Sequence, residues 1–477
     1  MLDWVSMIFA SREAFLTTVF GLNAIFIAFV IILEDREPER TITWLFVLFT
    51  FPLVGFIIYL FFGHDWHGRT SRKRLRKTFD ETKRWHQLAA MQDRTQATML
   101  QSEMERLCTA TTGFQVTDGN IVTILTDAQI KFPRLLSALR AAKESIDLEY
   151  FLIRLDGIGK EVVDVLKERA RAGVRVRCIA DGCGSFGFGF NAFRDMRAAG
   201  IQVTYFAPLI TTFSFFKANY RDHRKIVVID GTTAFTGGIN IGDEYLGKSK
   251  IGPWRDTSIE IKGPAVAQLA ALFNEAWLET TKQPSPPPVI PPAAGDEHVS
   301  VIPSGPMTNW FAIHQIYLAM IHGAKRTLVI ESPYFIPDTS ILNALVNAAL
   351  RGVDVRILYP RRTDHVSLRW IADTYLGDIV RAGGRVFEYP TGFLHKKVMI
   401  ADNEVATIGT CNIDIRSFLL DFEVNVLLTH PRAIAHLLED LAVDLQTCVE
   451  IPFTHYTDRS FFRRIRDSLA RLVAPLL

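Results

Sequence analysis

The feature that most constrains the fold is an internal repeat. Arg171-Ala-Gly-Val-Arg-Val-Arg-Cys-Ile-Ala180 returns as Leu350-Arg-Gly-Val-Asp-Val-Arg-Ile-Leu-Tyr359. Each reads as a helix end closed by glycine and followed by an alternating strand. The same helix-to-strand turn recurs in Arg197-Ala-Ala-Gly-Ile-Gln-Val and Arg381-Ala-Gly-Gly-Arg-Val, and Asp222-His-Arg-Lys-Ile-Val-Val-Ile-Asp230 returns as Leu394-His-Lys-Lys-Val-Met-Ile-Ala-Asp402. From residue 115 onward strand-like and helix-like segments alternate, which predicts an α/β fold of mixed sheets flanked by helices. A duplicated unit predicts two lobes, residues 115–283 and 299–455, related by a pseudo-twofold axis so that equivalent motifs meet across the interface. The Pro-rich stretch Pro284-Ser-Pro-Pro-Pro-Val-Ile-Pro-Pro292 separates the copies, and its stiffness suits a surface linker over residues 284–298.

The repeat carries its chemistry in two HxKxxxxD motifs. His223 and Lys225, like His395 and Lys397, are two residues apart on a predicted strand and so project from one face. Asp230 and Asp402 complete the motifs and are counted with His223, Lys225, His395 and Lys397 as candidate catalytic residues, although their opposite parity and place at the strand end, beside the turn residues Gly231 and Asn403, read as more structural than reactive. Asn240 and Asn412 each follow their histidine by 17 residues. A side-chain amide can donate to a phosphoryl oxygen, as lysine does with charge, and donors aimed at developing charge are often the largest catalytic contribution. A lone histidine on a strand is ordinarily structural; two in duplicated, equally spaced motifs are not. Protonated lysine is a poor metal ligand and no HxxxH or carboxylate-rich cluster accompanies these residues, so neither a metal nor a cofactor is expected. A cationic pocket with two imidazoles suits phosphoryl chemistry in which one histidine attacks phosphorus and the other handles the proton.

The N-terminal region constrains location. The chain has 477 residues, 48% of them hydrophobic, with a mean hydropathy of +0.15, and the apolar excess lies near the N-terminus. Ala14 to Leu33 carries no charge, and Ile42 to Phe62 is interrupted only by Pro52 and Gly55. Each run is long enough to span a bilayer, which takes about 20 residues, and the first is too long for a signal peptide and lacks a cleavage site. Residues 1–63 therefore read as a transmembrane hairpin. The connecting Glu34-Asp-Arg-Glu-Pro-Glu-Arg40 is acidic on balance, whereas Arg69, Arg72, Lys73, Arg74, Arg76 and Lys77 follow the second run. The positive-inside rule places that basic end, and the lobes beyond it, in the cytoplasm. Residues 64–114 read as a basic juxtamembrane segment, which serves topology or attracts anionic head groups equally well. Residues 456–477 read as an amphipathic basic helix that lies on the inner leaflet or covers a lobe. The formal net charge of +2 gives no support to nucleic-acid binding. The five cysteines show no CxxC spacing, which fits a reducing compartment. The Gly- and Phe-rich run Cys183 to Phe190 reads as a packed surface loop.

Paired HxKxxxxD motifs, each with a following Asn, resemble the phospholipase D superfamily. The stretches His223 to Gly231, Ala234 to Tyr245, Trp254 to Thr257, Glu331 to Asp338 and Arg416 to Glu423 are similar to its bacterial cardiolipin synthase branch, as is the hairpin from Trp44 to Gly63. The resemblance implies a covalent phosphatidyl-histidine intermediate, with His223 as nucleophile and His395 as general acid, then base. It implies that Asp256 and Glu423 orient the imidazoles, and that Lys225, Lys397, Asn240 and Asn412 hold phosphate oxygens. Thr410, where the superfamily commonly has serine, keeps a hydroxyl beside them. The activity implied is phosphatidyl transfer between two phosphatidylglycerol molecules, giving cardiolipin and glycerol at a bacterial inner membrane, with no nucleic acid involved. Rivals on the same motifs are a phospholipase D, a transferase using phosphatidylethanolamine or a free polyol, and a membrane-bound nuclease.

Overall fold

The computed structural model describes residues 12–33, 38–59, 97–207, 220–308, 310–364 and 366–473. They fall into two compact units, one of the described residues up to Tyr59 and one of the described residues from 97 onward.

In the first unit the two apolar runs fold against each other. The first is one helix, Arg12–Leu33. The second is two, Pro38–Thr50 and Pro52–Ile58, because Pro52 has no N–H to continue the helical ladder and starts a new helix instead. Asn23 Nδ2 donates to Leu48 O at 2.8 Å, and Phe26 packs edge-on against Phe56 and Tyr59, with ring centroids 4.6 and 5.4 Å apart. Among the described residues no helix is long and apolar enough to cross a membrane. The basic run from Arg69 to Lys77 and the acidic connection at 34–37 lie outside the described residues.

The second unit holds both lobes. In the first lobe the strands are β1 (Thr117–Thr126), β2 (Ser145–Tyr150), β3 (Arg175–Asp181), β4 (Gln202–Phe206), β5 (Lys225–Ile229), β6 (Thr233–Gly237), β7 (Trp254–Arg255) and β8 (Thr257–Lys262). The second lobe has β9 (Glu297–Ser304), β10 (Thr327–Glu331), β11 (Phe335–Ile336), β12 (Asp354–Pro360), β13 (Arg385–Tyr389), β14 (Phe393–Leu394), β15 (Val398–Ala401), β16 (Val405–Gly409), β17 (Ile413–Asp414), β18 (Glu423–Leu428) and β19 (Val449–Glu450). The repeat is visible in the pairing. In space the first lobe runs β1-β8-β6-β5-β2-β3-β4, and the second runs β9-β18-β16-β15-β10-β12-β13 and adds β19 at its edge. Within each lobe's part of this sheet β2-β3-β4 or β10-β12-β13 pair in parallel and the rest antiparallel, while β11 and β17 form a separate parallel pair. The helix-end glycines of the repeat, Gly173 and Gly352, both take positive φ, 93° and 87°, where a Cβ would be strained.

The two sheets expected from the sequence form one. β1 and β9 pair antiparallel through Thr117 with Val299 and Asn120 with Glu297, which closes a continuous 15-stranded sheet with the lobe boundary at its centre. The Pro-rich segment has no regular secondary structure. Helix Met99–Thr112, which the sequence assigns to the juxtamembrane segment, instead completes the second lobe. Its Leu100, Met104 and Cys108 are buried in that lobe's core, and Gln101 Nε2 donates to Glu404 O and Thr429 O at 3.0 and 2.9 Å.

Candidate active site

Short backbone pairings between the lobes, outside the large sheet, deliver each histidine to the other lobe's carboxylate. The segment before His223 forms a parallel bridge from Asp222 to Phe422, and His223 N donates to Phe422 O at 2.9 Å. Residue 423 is thereby set beside residue 223. On the other side β14 pairs in parallel with β7, Leu394 opposite Arg255, and His395 N donates to Arg255 O at 2.7 Å. The side chains follow the backbone. His223 Nδ1 lies 2.9 and 3.0 Å from the two oxygens of Glu423, and His395 Nδ1 lies 2.6 Å from Asp256 Oδ2. A carboxylate on Nδ1 holds the proton there and leaves the lone pair on Nε2, which on His395 lies 3.2 Å from Lys397 Nζ.

Both carboxylates are themselves held. Asp127 accepts from Asp256 N at 3.0 Å, and Asp256 Oδ1 accepts from Thr257 N at 2.7 Å. Gly238 leaves the room: a Cβ there would sit 2.1 Å from Asp256 Oδ1. Thr410, expected beside the phosphate, instead gives its hydroxyl to Glu423 Oε2 and accepts from Val424 N at 2.9 Å. Its side chain is committed to the carboxylate.

Lys225 Nζ donates to His223 O at 2.7 Å and Lys397 Nζ to His395 O at 2.6 Å, so each lysine folds back alongside its own histidine. Asn240 Nδ2 donates to the Tyr245 hydroxyl at 2.6 Å. Five residues after the other Asn stands Ser417, and Asn412 Nδ2 donates to it at 3.3 Å, while Asn412 Oδ1 is buried with no partner among the described residues. The half-sites also differ in their rings. Tyr245, Trp254 and Phe393 surround His395 at centroid distances of 5.7, 5.2 and 5.4 Å, whereas Phe151 meets His223 edge-on at 5.0 Å.

The motif aspartates are not at this site. Asp230 and Asp402 close the far ends of their strands, both at φ 52°. Asp230 accepts from the backbone N–H of Lys143, Glu144 and Ser145, and Asp402 from those of Lys325, Arg326 and Thr327. Each pins the start of the neighbouring strand. Asp402→Ala is therefore expected to lower stability by about 2–3 kcal/mol while activity per folded molecule stays close to wild type, which urea unfolding and an active-fraction assay check together.

Burial and crowded positive charge set the electrostatics. Burial pushes His395 down to about 4, with Lys397 adding to the effect and Asp256 opposing it. His223 is held well below the ordinary imidazole range by burial, then by Lys225, Lys397 and Arg416. Burial also lowers Lys225 to about 7 and Lys397 to about 8. The carboxylates differ. Asp256 stays below its ordinary value despite burial because Lys397 and His395 face it, whereas burial raises Glu423 to about 7.

The sequence reading missed the middle residue of each HxK. Arg224 and Lys396 point to the opposite strand face and are buried there. Arg224 Nε lies 2.9 Å from Glu149 and 3.0 Å from Asp222, and Lys396 Nζ lies 2.5 Å from Asp440 and 3.4 Å from Glu331, with Asp444 also bonded. A signal was present: both copies place a cation at that position and a glutamate, Glu149 or Glu331, at the end of the matching strand. Phe151 lies in the stretch Tyr150 to Asp156, whose aromatics are explained by pocket lining and by strand packing equally well, so sequence alone does not single it out.

Residues 135–277 and 317–445 match the family described as cardiolipin synthase, PLD-like domain, and residues 21–64 match the phospholipase D-nuclease N-terminal family. The chain belongs to the cardiolipin synthase family. It is 39% identical to the cardiolipin synthase of Halalkalibacterium halodurans over 96% of this chain and 92% of that protein. It is 40% identical to that of Geobacillus kaustophilus over 97% and 93%, and 36% identical to the major cardiolipin synthase of Bacillus subtilis over 97% and 98%. Among solved structures, phosphatidylserine synthase from Haemophilus influenzae shares the fold, with a TM-score of 0.61 at 14% identity over 79% of this chain and all of that one. Family membership thus spans both lobes and the N-terminal hairpin.

Proposed function

We propose that this chain is a cardiolipin synthase, a membrane phosphatidyltransferase that moves a phosphatidyl group from one phosphatidylglycerol to another through a histidine adduct. The observation that carries the reading is the crossed arrangement of two histidine–carboxylate pairs from two lobes, with lysines and asparagines from both beside them. In the first step His223 Nε2 attacks phosphorus and His395 gives a proton to the departing glycerol oxygen. In the second, His395 removes the proton from the terminal hydroxyl of another phosphatidylglycerol, whose oxygen takes the phosphatidyl group and frees His223. One phosphodiester is broken and one formed in the cycle, so the transfer is reversible without a nucleotide. Burial holds both histidines low enough to be neutral at pH 7, which suits attack by His223. The phosphate's negative charge offsets Lys225 and Lys397 and so favours the protonated His395 that the first step needs. Purified enzyme given phosphatidylglycerol alone is expected to release glycerol and cardiolipin in equal amounts; phosphatidic acid without cardiolipin would mean hydrolysis instead.

The lysines give the site a pH signature. Lys225 and Lys397 titrate at about 7 and about 8, so both are ammonium below that window and both neutral above it. An anionic diester binds the ammonium forms. Affinity for dimethyl phosphate, whose charge is constant across this range, is expected to be highest below pH 7 and to weaken about tenfold per pH unit for each lysine above its own value. Inhibition constants from pH 5 to 9 check this, and a flat profile would contradict it.

The N-terminal hairpin serves as the anchor in this reading. Phe20, Leu22, Ile25, Ile42, Phe46 and Phe49 are all more than half exposed on it, an apolar surface that a bilayer would cover, and the basic residues after it favour lobes on the cytoplasmic side. The C-terminal helix Phe461–Val473 packs on the second lobe, with Ala470 in its core, and leaves two phenylalanines that a bilayer surface would cover. Arg463 turns inward to Asp373 at 3.1 Å, while Phe461 and Phe462 are exposed.

A further inference from the structure

Helix Ala128–Ala141 presents Ala128, Phe132, Leu135, Leu136 and Leu139 to the first lobe's core, and among them stands Lys131. Its side chain occupies a position that helical spacing reserves for an apolar residue, and only 1% of it is exposed. Among the described residues no carboxylate lies within ion-pair distance of its ammonium. Its one hydrogen bond goes from Nζ to Ile239 O at 2.5 Å, and the rings of Tyr150 and Phe132 lie 5.1 and 5.6 Å away. Aromatic faces offset part of the cost of burying a cation, but an ammonium without a counter-ion in a core is strongly unfavourable. A packing role alone would be met better by leucine or methionine.

What Lys131 touches explains its presence. Ile239 immediately precedes Asn240 in Gly237-Gly-Ile-Asn240, so the bond to its carbonyl fixes the peptide plane from which the Asn240 side chain leaves. The second lobe performs the same task without charge. The Tyr317 hydroxyl, also buried, reaches the carbonyl of Cys411, the residue before Asn412, at 3.4 Å, and accepts from Asn425 Nδ2 at 2.9 Å. Two helices thus hold two equivalent carbonyls, one with a cation and one with a phenol. The charged groups that Lys131 feels are Asp256, the partner of His395, and Lys225.

We propose that Lys131 is a positioning residue of the transfer site: it sets the Asn240 amide through the Ile239 carbonyl and places a cation within reach of Asp256 that makes the His395 half unlike the His223 half. The inference rests on the transfer chemistry proposed above. The other ionisable groups facing the His395–Asp256 pair are Lys225, Lys397, Asp364 and Tyr245, and all of them stay in place when Lys131 alone is changed.

Lys131→Met removes donor and charge at similar volume, and Lys131→Gln keeps a donor without charge. Wild type and both variants, as full-length protein in detergent micelles, are assayed from pH 4.5 to 9 on phosphatidylglycerol and on a chromogenic phosphodiester. For Lys131→Met we expect kcat to fall roughly tenfold to a hundredfold with KM nearly unchanged. The acid limb of the profile should rise by about half a pH unit, because loss of a nearby cation favours the protonated imidazole. Lys131→Gln should recover most of kcat and keep the shifted limb. Wild-type rates and an unshifted limb in both variants would overturn the proposal, as would equal losses with no shift and a lowered unfolding midpoint, which would mark Lys131 as packing. Wild type that cleaves the chromogenic diester without making cardiolipin would count against the transfer reading alone, and the comparison of variants on the diester would still decide the role of Lys131.

Discussion

His223→Ala is expected to abolish cardiolipin formation, with a fall in kcat on the order of 10⁴-fold or more, because the variant lacks the atom that bonds phosphorus. His395→Ala should be nearly as damaging with phosphatidylglycerol, whose glycerol leaves only with a proton. With a phosphodiester whose leaving group is a nitrophenolate and needs none, the first-turnover burst of nitrophenolate should be far less affected, although breakdown of the adduct, which uses His395 as base, stays slow. This contrast separates the two roles, since His223→Ala should be equally inactive on both substrates. If the pattern came out reversed, with His223→Ala rescued by the better leaving group, the roles of the two histidines would be exchanged.

The second large effect comes from the carboxylate across the interface. Asp256→Asn should lower kcat by about 10²–10³-fold with little change in KM. An amide in place of Asp256 Oδ2, 2.6 Å from His395 Nδ1, can present its N–H there and favour the wrong tautomer, with the proton on Nε2. Gly238→Ala should reach the same end by sterics. Its methyl would lie 2.1 Å from Asp256 Oδ1, so the carboxylate must swing away from the imidazole. Kinetics on both variants beside a thermal unfolding curve check this. A wild-type kcat in Asp256→Asn would show that His395 needs no orienting partner.

Much of the fold was legible because it is periodic. Alternation placed His223 with Lys225 and His395 with Lys397 on common faces and set Asp230 and Asp402 apart, and the structure places those aspartates on backbone N–H groups at the strand ends. Duplication made two lobes of like topology readable, since each glycine-closed helix end was written twice. The sequence could not tell that the lobes share one sheet, because the β1–β9 pairing joins residues 182 apart in the chain, Thr117 and Val299, and neither edge advertises its partner. For the same reason the crossing of Glu423 to His223 and Asp256 to His395 was hidden: spacing along the chain ties each carboxylate to its own lobe, and only the tertiary bridges at Phe422 and Arg255 reverse that. Thr410 and Lys131 were misread or passed over because their roles depend on a single neighbour, the Glu423 carboxylate in one case and the Ile239 carbonyl in the other. Helix Met99–Thr112 was assigned by position to the membrane-proximal segment, although its apolar residues Leu100, Met104 and Cys108 recur every fourth residue and needed a core to face.

The most direct test of a single site built from both lobes is to quench the wild-type enzyme under alkaline conditions during its first turnover of phosphatidylglycerol and map the modified peptide by mass spectrometry. The expected result is one phosphatidyl group per chain, on His223, appearing with the glycerol burst and decaying into cardiolipin when a second phosphatidylglycerol is supplied. An adduct on His395, adducts on both histidines, or cardiolipin formed with no adduct at all would contradict it.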